Sequence, residues 1–330
     1  MFRVFREKPQ ILIEAQKAKF RPGFGIQVLI FLAIYLVTSI AQSIPIVAIT
    51  FFQTVTAAMR QDVALDDPEQ VMEFAMSLQY DSTLLMLFLT VLATVIVIIY
   101  CRFIEKRSLY SMGFNRKNAV GQYFTGLLVG FVMISTSLAI SWASGSMKFN
   151  GFSSGSNIGL LLCFLSGFVL QGMSEEVILR GYFMVSVAAK NSILLAVISN
   201  SIIFSVLHLL NPGISVIGIL NLLLFGVFAS VYTLKMNSIW GICAIHSIWN
   251  YAQGNLFGIK VSGMDTGVSV LSFLPTGSST LINGGAFGLE GGLAVTIVLV
   301  LSTLITFMLP GKEIAKADEA MQPPPLSPAM

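Results

Sequence analysis

Six residues in this sequence have types and spacing that suit hydrolytic chemistry: Glu175, Glu176, Arg180, His208, His246 and Asn250, the two histidines being the only ones in the chain. Glu176 and Arg180 are i,i+4, so on a helix they share a face and can form a salt bridge. Glu175 is turned about 100° away from Glu176 and is free to point into a cavity as a general base or acid. His246 and Asn250 are again i,i+4 on one face. His208 follows Phe204 by four residues. The midpoint between 175 and 208 falls near residue 191, so in an antiparallel hairpin Glu175 and His208 meet at one depth. Amide hydrolysis needs an activated water, a proton shuttle and donors aimed at the developing oxyanion. One carboxylate, two imidazoles and a side-chain amide supply these without a Ser or Cys nucleophile. Glu175, His208 and His246 could instead form a three-ligand zinc site with an open position. No H-E-x-x-H occurs, and one glutamate cannot readily serve as both ligand and sole base. The reading therefore leans to a metal-free glutamate mechanism, with zinc as the candidate cofactor.

The elements that must position these residues are transmembrane helices. The 330 residues are 55% hydrophobic and 11% charged, with mean hydropathy +0.83, against about 25% charged in soluble domains. Long apolar runs read as spans at roughly 26–52, 82–101, 121–143, 158–188, 192–210, 213–235, 239–257 and 291–309. The expected fold is an all-α polytopic membrane protein of about eight transmembrane helices, with a polar site between spans four, five and seven. It divides into a basic leader (1–25), N-terminal helices (26–157), a core (158–257), a Gly-rich loop with the last helix (258–310) and a disordered tail (311–330). In the segment 281–292 the glycines predict a tight turn, and Glu290 reads as interfacial.

A charge at mid-membrane costs about 2.5–3.5 kcal/mol on insertion scales. Charged groups persist there when they face the bundle interior, pair and serve a site. Taken singly, each has a structural reading: a Glu–Arg assembly clamp, a packing histidine, an interhelical His/Asn hydrogen bond. Together, both histidines and the doubled glutamate fall in three helices of the C-terminal half, and that joint pattern points to a site.

Orientation follows the Lys/Arg bias of short loops. The leader carries Arg3, Arg6, Lys8, Lys17, Lys19 and Arg21, and the loop after span two carries Arg102, Lys106, Arg107, Arg116 and Lys117. The loop after span one has Arg60 against Asp62, Asp66, Asp67, Glu69 and Glu73. Both termini are therefore expected in the cytoplasm, with Lys190 and Lys235 on the same side. The first apolar run is too long for a signal peptide, so the N-terminus is expected to be retained. The acidic stretch reads either as an amphipathic surface helix or as a solvated loop. Cys101, Cys163 and Cys243 show no CxxC spacing and read as small core residues. No basic stripe with interleaved aromatics suggests nucleic acid, and the net charge of +3 says little about partners.

S-E-E-V-I-L-R-G at 174–181, F-S-V-L-H at 204–208 and H-S-I-W-N at 246–250 resemble, in order and placement, the E-E-x-x-x-R, F-x-x-x-H and H-x-x-x-N motifs of the CPBP (CAAX protease and bacteriocin-processing, or Abi) family. The resemblance covers about 170–255 and implies a CAAX-prenyl-protease-type intramembrane endopeptidase, with 158–257 as its catalytic core and a cavity opening towards the cytoplasm. It implies that Glu175 activates water, that His208 helps hold it, and that His246 and Asn250 stabilise the oxyanion. Arg180 and Glu176 would support Glu175, with Phe204 part of the second motif. Partners would be a peptide or protein substrate, lipidated in some members, and membrane lipids, in a bacterial plasma membrane. Two other readings compete: a non-catalytic bacteriocin self-immunity or membrane binding protein, and a transporter with a midplane polar site, for which no repeated halves are visible.

Overall fold

The structure, a computed structural model, describes residues 8–60, 66–77, 79–153, 157–277 and 279–309. In chain order the elements are α1 (Gln10–Ala15), α2 (Phe24–Met59), α3 (Pro68–Ser77), α4 (Gln79–Leu89), α5 (Val91–Ile99), α6 (Ala119–Ala143), β1 (Met147–Phe152) and α7 (Ile158–Glu176). They continue with α8 (Val185–Lys190), α9 (Ile193–Leu207), α10 (Val216–Met236), α11 (Trp240–Tyr251), β2 (Leu271–Pro275), α12 (Thr280–Asn283) and α13 (Leu293–Met308).

The protein is a largely α-helical integral membrane protein. Among the described residues, five helical segments are long and apolar enough to cross a membrane: Phe24–Met59, Thr83–Ile104, Ala119–Ala143, Ile158–Lys190 and Val216–Met236. The expected eight full spans are thus not all present at that length. With 15 and 16 residues, α9 and α13 reach only about 22–24 Å, short of a hydrocarbon core of about 30 Å. Large apolar side chains such as Leu29, Leu36, Phe124, Leu128 and Ile198 stay exposed on the bundle's outside, as lipid contact requires and water contact disfavours. The acidic stretch forms a helix: α3 begins after Asp67, whose Oδ1 accepts from the amides of Glu69 (3.0 Å) and Gln70 (3.3 Å), as an N-cap does. Arg3, Arg6, Asp62 and the tail after Leu309 lie outside the described residues.

The helices of the core are brought close by small residues. α11 packs between α6 and α7. Gly126 and Gly130 on α6 form a G-x-x-x-G pair; a Cβ at these positions would come within 2.3 Å of Gly241 O and 2.6 Å of Ile245 O. On α7, a Cβ at Gly172 would meet Ser247 Oγ at 2.5 Å and its amide nitrogen at 2.8 Å. Gly172→Ala should push α11 away beside His246 and cost about 1–3 kcal/mol, visible as a lower thermal midpoint in detergent.

Two ends of the bundle are defined by hydrogen bonds between loops. At one end the leader meets the turns after α8 and α10. The Ile11 amide donates to Asn237 Oδ1 (2.8 Å), Gln16 Nε2 to Ala189 O (3.3 Å), Lys190 Nζ to Arg21 O (3.1 Å) and Lys235 Nζ to Leu309 O (2.8 Å). Ile11, Leu12 and Ala15 of α1 are fully buried there. Glu105 and Arg107, just beyond α5, form a buried ion pair at 2.6 Å, and Arg107 Nη2 donates to the Gly181 carbonyl at 3.2 Å. At the other end β1 pairs antiparallel with β2, Phe149 opposite Phe273, and Asn283 Nδ2 donates to Ser146 O (2.7 Å).

Ile158–Lys190 is a helical segment of 33 residues, about 50 Å long, longer than the hydrocarbon core. Its last turns meet the leader through the Gln16–Ala189 and Lys190–Arg21 hydrogen bonds.

Candidate active site

α7 runs without a break into a widened, π-helical stretch, Val177–Met184, and the residues around that junction build the site. Widened turns of this kind occur often at functional sites. Ser174 Oγ donates to the carbonyl of Thr90 at 2.6 Å, anchoring the helix where α4 meets α5.

Glu176 and Arg180 are both fully buried, and Arg180 Nη1 donates to Glu176 Oε1 at 2.9 Å. The expected salt bridge therefore forms. The guanidinium also lies over the Phe204 ring at 4.8 Å and the Phe225 ring at 5.8 Å, a cation–π arrangement that helps hold a charge away from water. The same carboxylate oxygen of Glu176 receives His246 Nδ1 at 2.9 Å. A carboxylate only accepts, so Nδ1 carries the hydrogen, and His246 Nε2 faces the other way. There it stands 3.9 Å from Glu175 Oε2.

Glu175 is bound at one oxygen only. Its Oε1 accepts from Gln171 Nε2 at 2.5 Å, and Gln171 Oε1 accepts from Asn250 Nδ2 at 3.0 Å. Its Oε2 is buried with no hydrogen-bond partner. Asn250, Gln171 and Glu175 thus form a relay across α11 and α7. Gln171 was not singled out from the sequence, although it stands four residues before Glu175 and the same one-turn rule finds it.

His208 caps the end of α9. Its Nδ1 lies 2.7 Å from the Phe204 carbonyl, which can only accept, so Nε2 is left facing outwards. Its ring lies 4.7 Å from that of Phe204. Among the described residues no hydrogen bond or ion pair joins His208 to Glu175. The two line one cavity.

This cavity, of about 390 Å³, gathers Gln171, Glu175, His208, His246, Asn250 and Glu290. Its apolar wall includes Phe168, Leu179, Phe225, Trp249 and Leu299. The expectation that Glu290 is merely interfacial is corrected here. The segment before α13 folds inwards, so that Glu290 Oε2 accepts from the Ser262 amide (2.6 Å) and hydroxyl (2.8 Å). Burial pushes the Glu290 carboxyl up, while the two Ser262 bonds pull it down. The inward fold depends on Gly288, at φ +91°, where a Cβ would come within 2.0 Å of Lys260 O. The Gln253 side chain donates to that same carbonyl at 2.6 Å.

Among the described residues, no three His, Cys, Asp or Glu side chains converge on a point that could hold a metal ion.

The arrangement offers an unpaired carboxylate oxygen, two imidazole nitrogens and an amide on the wall of one cavity. Comparison with known proteins found no match among curated proteins and none among solved structures. Residues 157–252 match the family model described as type II CAAX prenyl endopeptidase Rce1-like.

Proposed function

We propose that this chain, a member of the CPBP and CAAX protease family through its Rce1-like segment at residues 157–252, hydrolyses a peptide bond within the membrane by means of water activated at Glu175. The observation that carries the reading is the free Oε2 of Glu175 in a largely apolar cavity, opposite His246 Nε2.

Glu175 takes a proton from the attacking water and returns it to the leaving amine, the shuttle that amide cleavage requires. Gln171 holds Oε1 and so aims Oε2 at the water. His208 Nε2 accepts the water's second hydrogen and fixes its direction. Behind His246, Glu176 acts as an orienting carboxylate acts behind a catalytic histidine. In the imidazolium form His246 offers Nε2–H to the oxyanion, and the charges of Glu175, Glu176, Arg180 and His246 then sum to zero. Asn250 has a second amide hydrogen for the same oxyanion. The apolar wall excludes water and accommodates the hydrophobic flank of a membrane-embedded or lipidated peptide.

Purified wild type and Glu175→Ala, incubated with prenylated and leader-type peptides and read by mass spectrometry, test the proposal. Cuts made by wild type alone support it. Identical cuts by both proteins reject Glu175 as the base, and an absence of cuts by either favours the non-catalytic immunity or binding reading. Insensitivity to 1,10-phenanthroline is expected; chelator-sensitive cleavage would replace the glutamate mechanism by a metal one.

Gln171→Ala removes a hydrogen bond to a charged group, a loss of about 1.5–3 kcal/mol. Because the bond orients the base and does not bind substrate, kcat should fall about ten- to a hundredfold with KM nearly unchanged. An unchanged kcat would remove Gln171 from the relay.

A further inference from the structure

The cavity reaches only one end of the bundle. On the α7 segment its wall stops at Leu179; on α9 it begins at Phe204, on α10 it stops at Phe225, and on α11 it begins at His246. No residue of 180–203 or 226–245 lines it. That half of the protein is solid: every residue from 176 to 189 is buried, and α1 packs against α8 as a lid. On the opposite side the wall is built from Gln42, Thr83, Asn211, Ser262, Thr266 and Glu290. The Asn211 side chain donates to the Ser262 carbonyl at 3.2 Å, tying the loop after α9 to the segment after α11 at the cavity's rim.

The solid end is also the basic end. It carries the leader's Lys17, Lys19 and Arg21, the loop from Arg102 to Lys117, Lys190 and Lys235. The open end carries Lys148 and Lys260 against Asp265 and Glu290, and the loop after α2 adds Asp66, Asp67 and Glu69 against Arg60. Lys/Arg-rich loops stay in the cytoplasm.

We infer that the site opens away from the cytoplasm, and that its substrate is a polypeptide segment exported across the membrane or anchored in its outer leaflet. This rests on the proteolytic reading above for the word substrate, and it departs from the cytoplasmic opening that the family resemblance implies. Cytoplasmic tails meet the closed face, where Arg180 and the buried stretch beyond it block the way to Glu175.

The test uses full-length protein in a bacterial plasma membrane, carrying Cys163→Ser, because Cys163 is exposed while Cys101 and Cys243 are buried. Single cysteines are added as Asp265→Cys on the open end, Met264→Cys on the cavity wall and Arg116→Cys on the basic end. Spheroplasts and inverted vesicles are treated with a charged, membrane-impermeant maleimide. The expected result is labelling of Asp265→Cys and Met264→Cys in spheroplasts, with Arg116→Cys protected there and labelled in inverted vesicles. Labelling of Arg116→Cys from outside overturns the orientation. Labelling of Met264→Cys in inverted vesicles alone overturns the direction of opening. Neither readout involves cleavage, so failure of the protease reading would leave this pattern unchanged, and failure of this pattern would leave Glu175-dependent cleavage unchanged.

Discussion

Glu175→Gln is expected to lower peptide-bond cleavage at least about a thousandfold, within the range that a positioned general base contributes, while leaving the protein as stable as wild type. The substitution is nearly isosteric. Glu175 Oε1 can be replaced by an amide oxygen that still accepts from Gln171, and Oε2 has no protein partner to lose. Only the capacity to take a proton disappears. Thermal unfolding in detergent and single-turnover cleavage separate the two effects. Activity within tenfold of wild type would show that Glu175 is not the base. The neighbouring carboxylate behaves differently: Glu176→Gln alters two bonds at once, to Arg180 and to His246.

Arg180→Met should be the most destabilising single change in the site, by about 3–5 kcal/mol, the usual penalty for orphaning a buried ion-pair partner. Glu176 would keep its charge with no exposure to solvent, and two aromatic rings would lose the cation above them. A double variant, Glu176→Leu with Arg180→Met, removes both charges and should recover most of the stability, since replacing a buried pair by apolar groups is often near neutral. It should stay inactive, because His246 Nδ1 would lose its acceptor. Full activity in the double variant would reduce the pair to an assembly clamp.

Much of the site was legible because it is written in one-turn spacings. Glu176 with Arg180 and His246 with Asn250 follow from helical geometry alone, and three segments of one half of the chain already carried every histidine. What escaped depends on backbone that spacing does not encode. Glu290 reaches the cavity through a route set by Gly288, whose positive φ and contact with Lys260 O are invisible in a hydropathy pattern. The even count from the hairpin turn placed Glu175 and His208 at one depth, and the two do line one cavity, but spacing does not show the π-helical turns of Val177–Met184 that lie between Glu175 and that turn. The span count is less legible for a similar reason: α9 and α13 are apolar enough to read as crossings, yet each is shorter than 18 residues, a length that hydropathy alone does not fix. Gln171 was legible and overlooked, since a lone glutamine in an apolar run draws less notice than a charge.

The docked leader has a consequence for how the protein can be manipulated. With Ile11, Leu12 and Ala15 wholly buried and the Ile11 amide bonded to Asn237, α1 behaves as a tethered ligand of its own bundle. A short tether gives an effective concentration in the millimolar range. Cutting the chain between α1 and α2 should therefore weaken a cap that micromolar doses of free leader peptide do not restore.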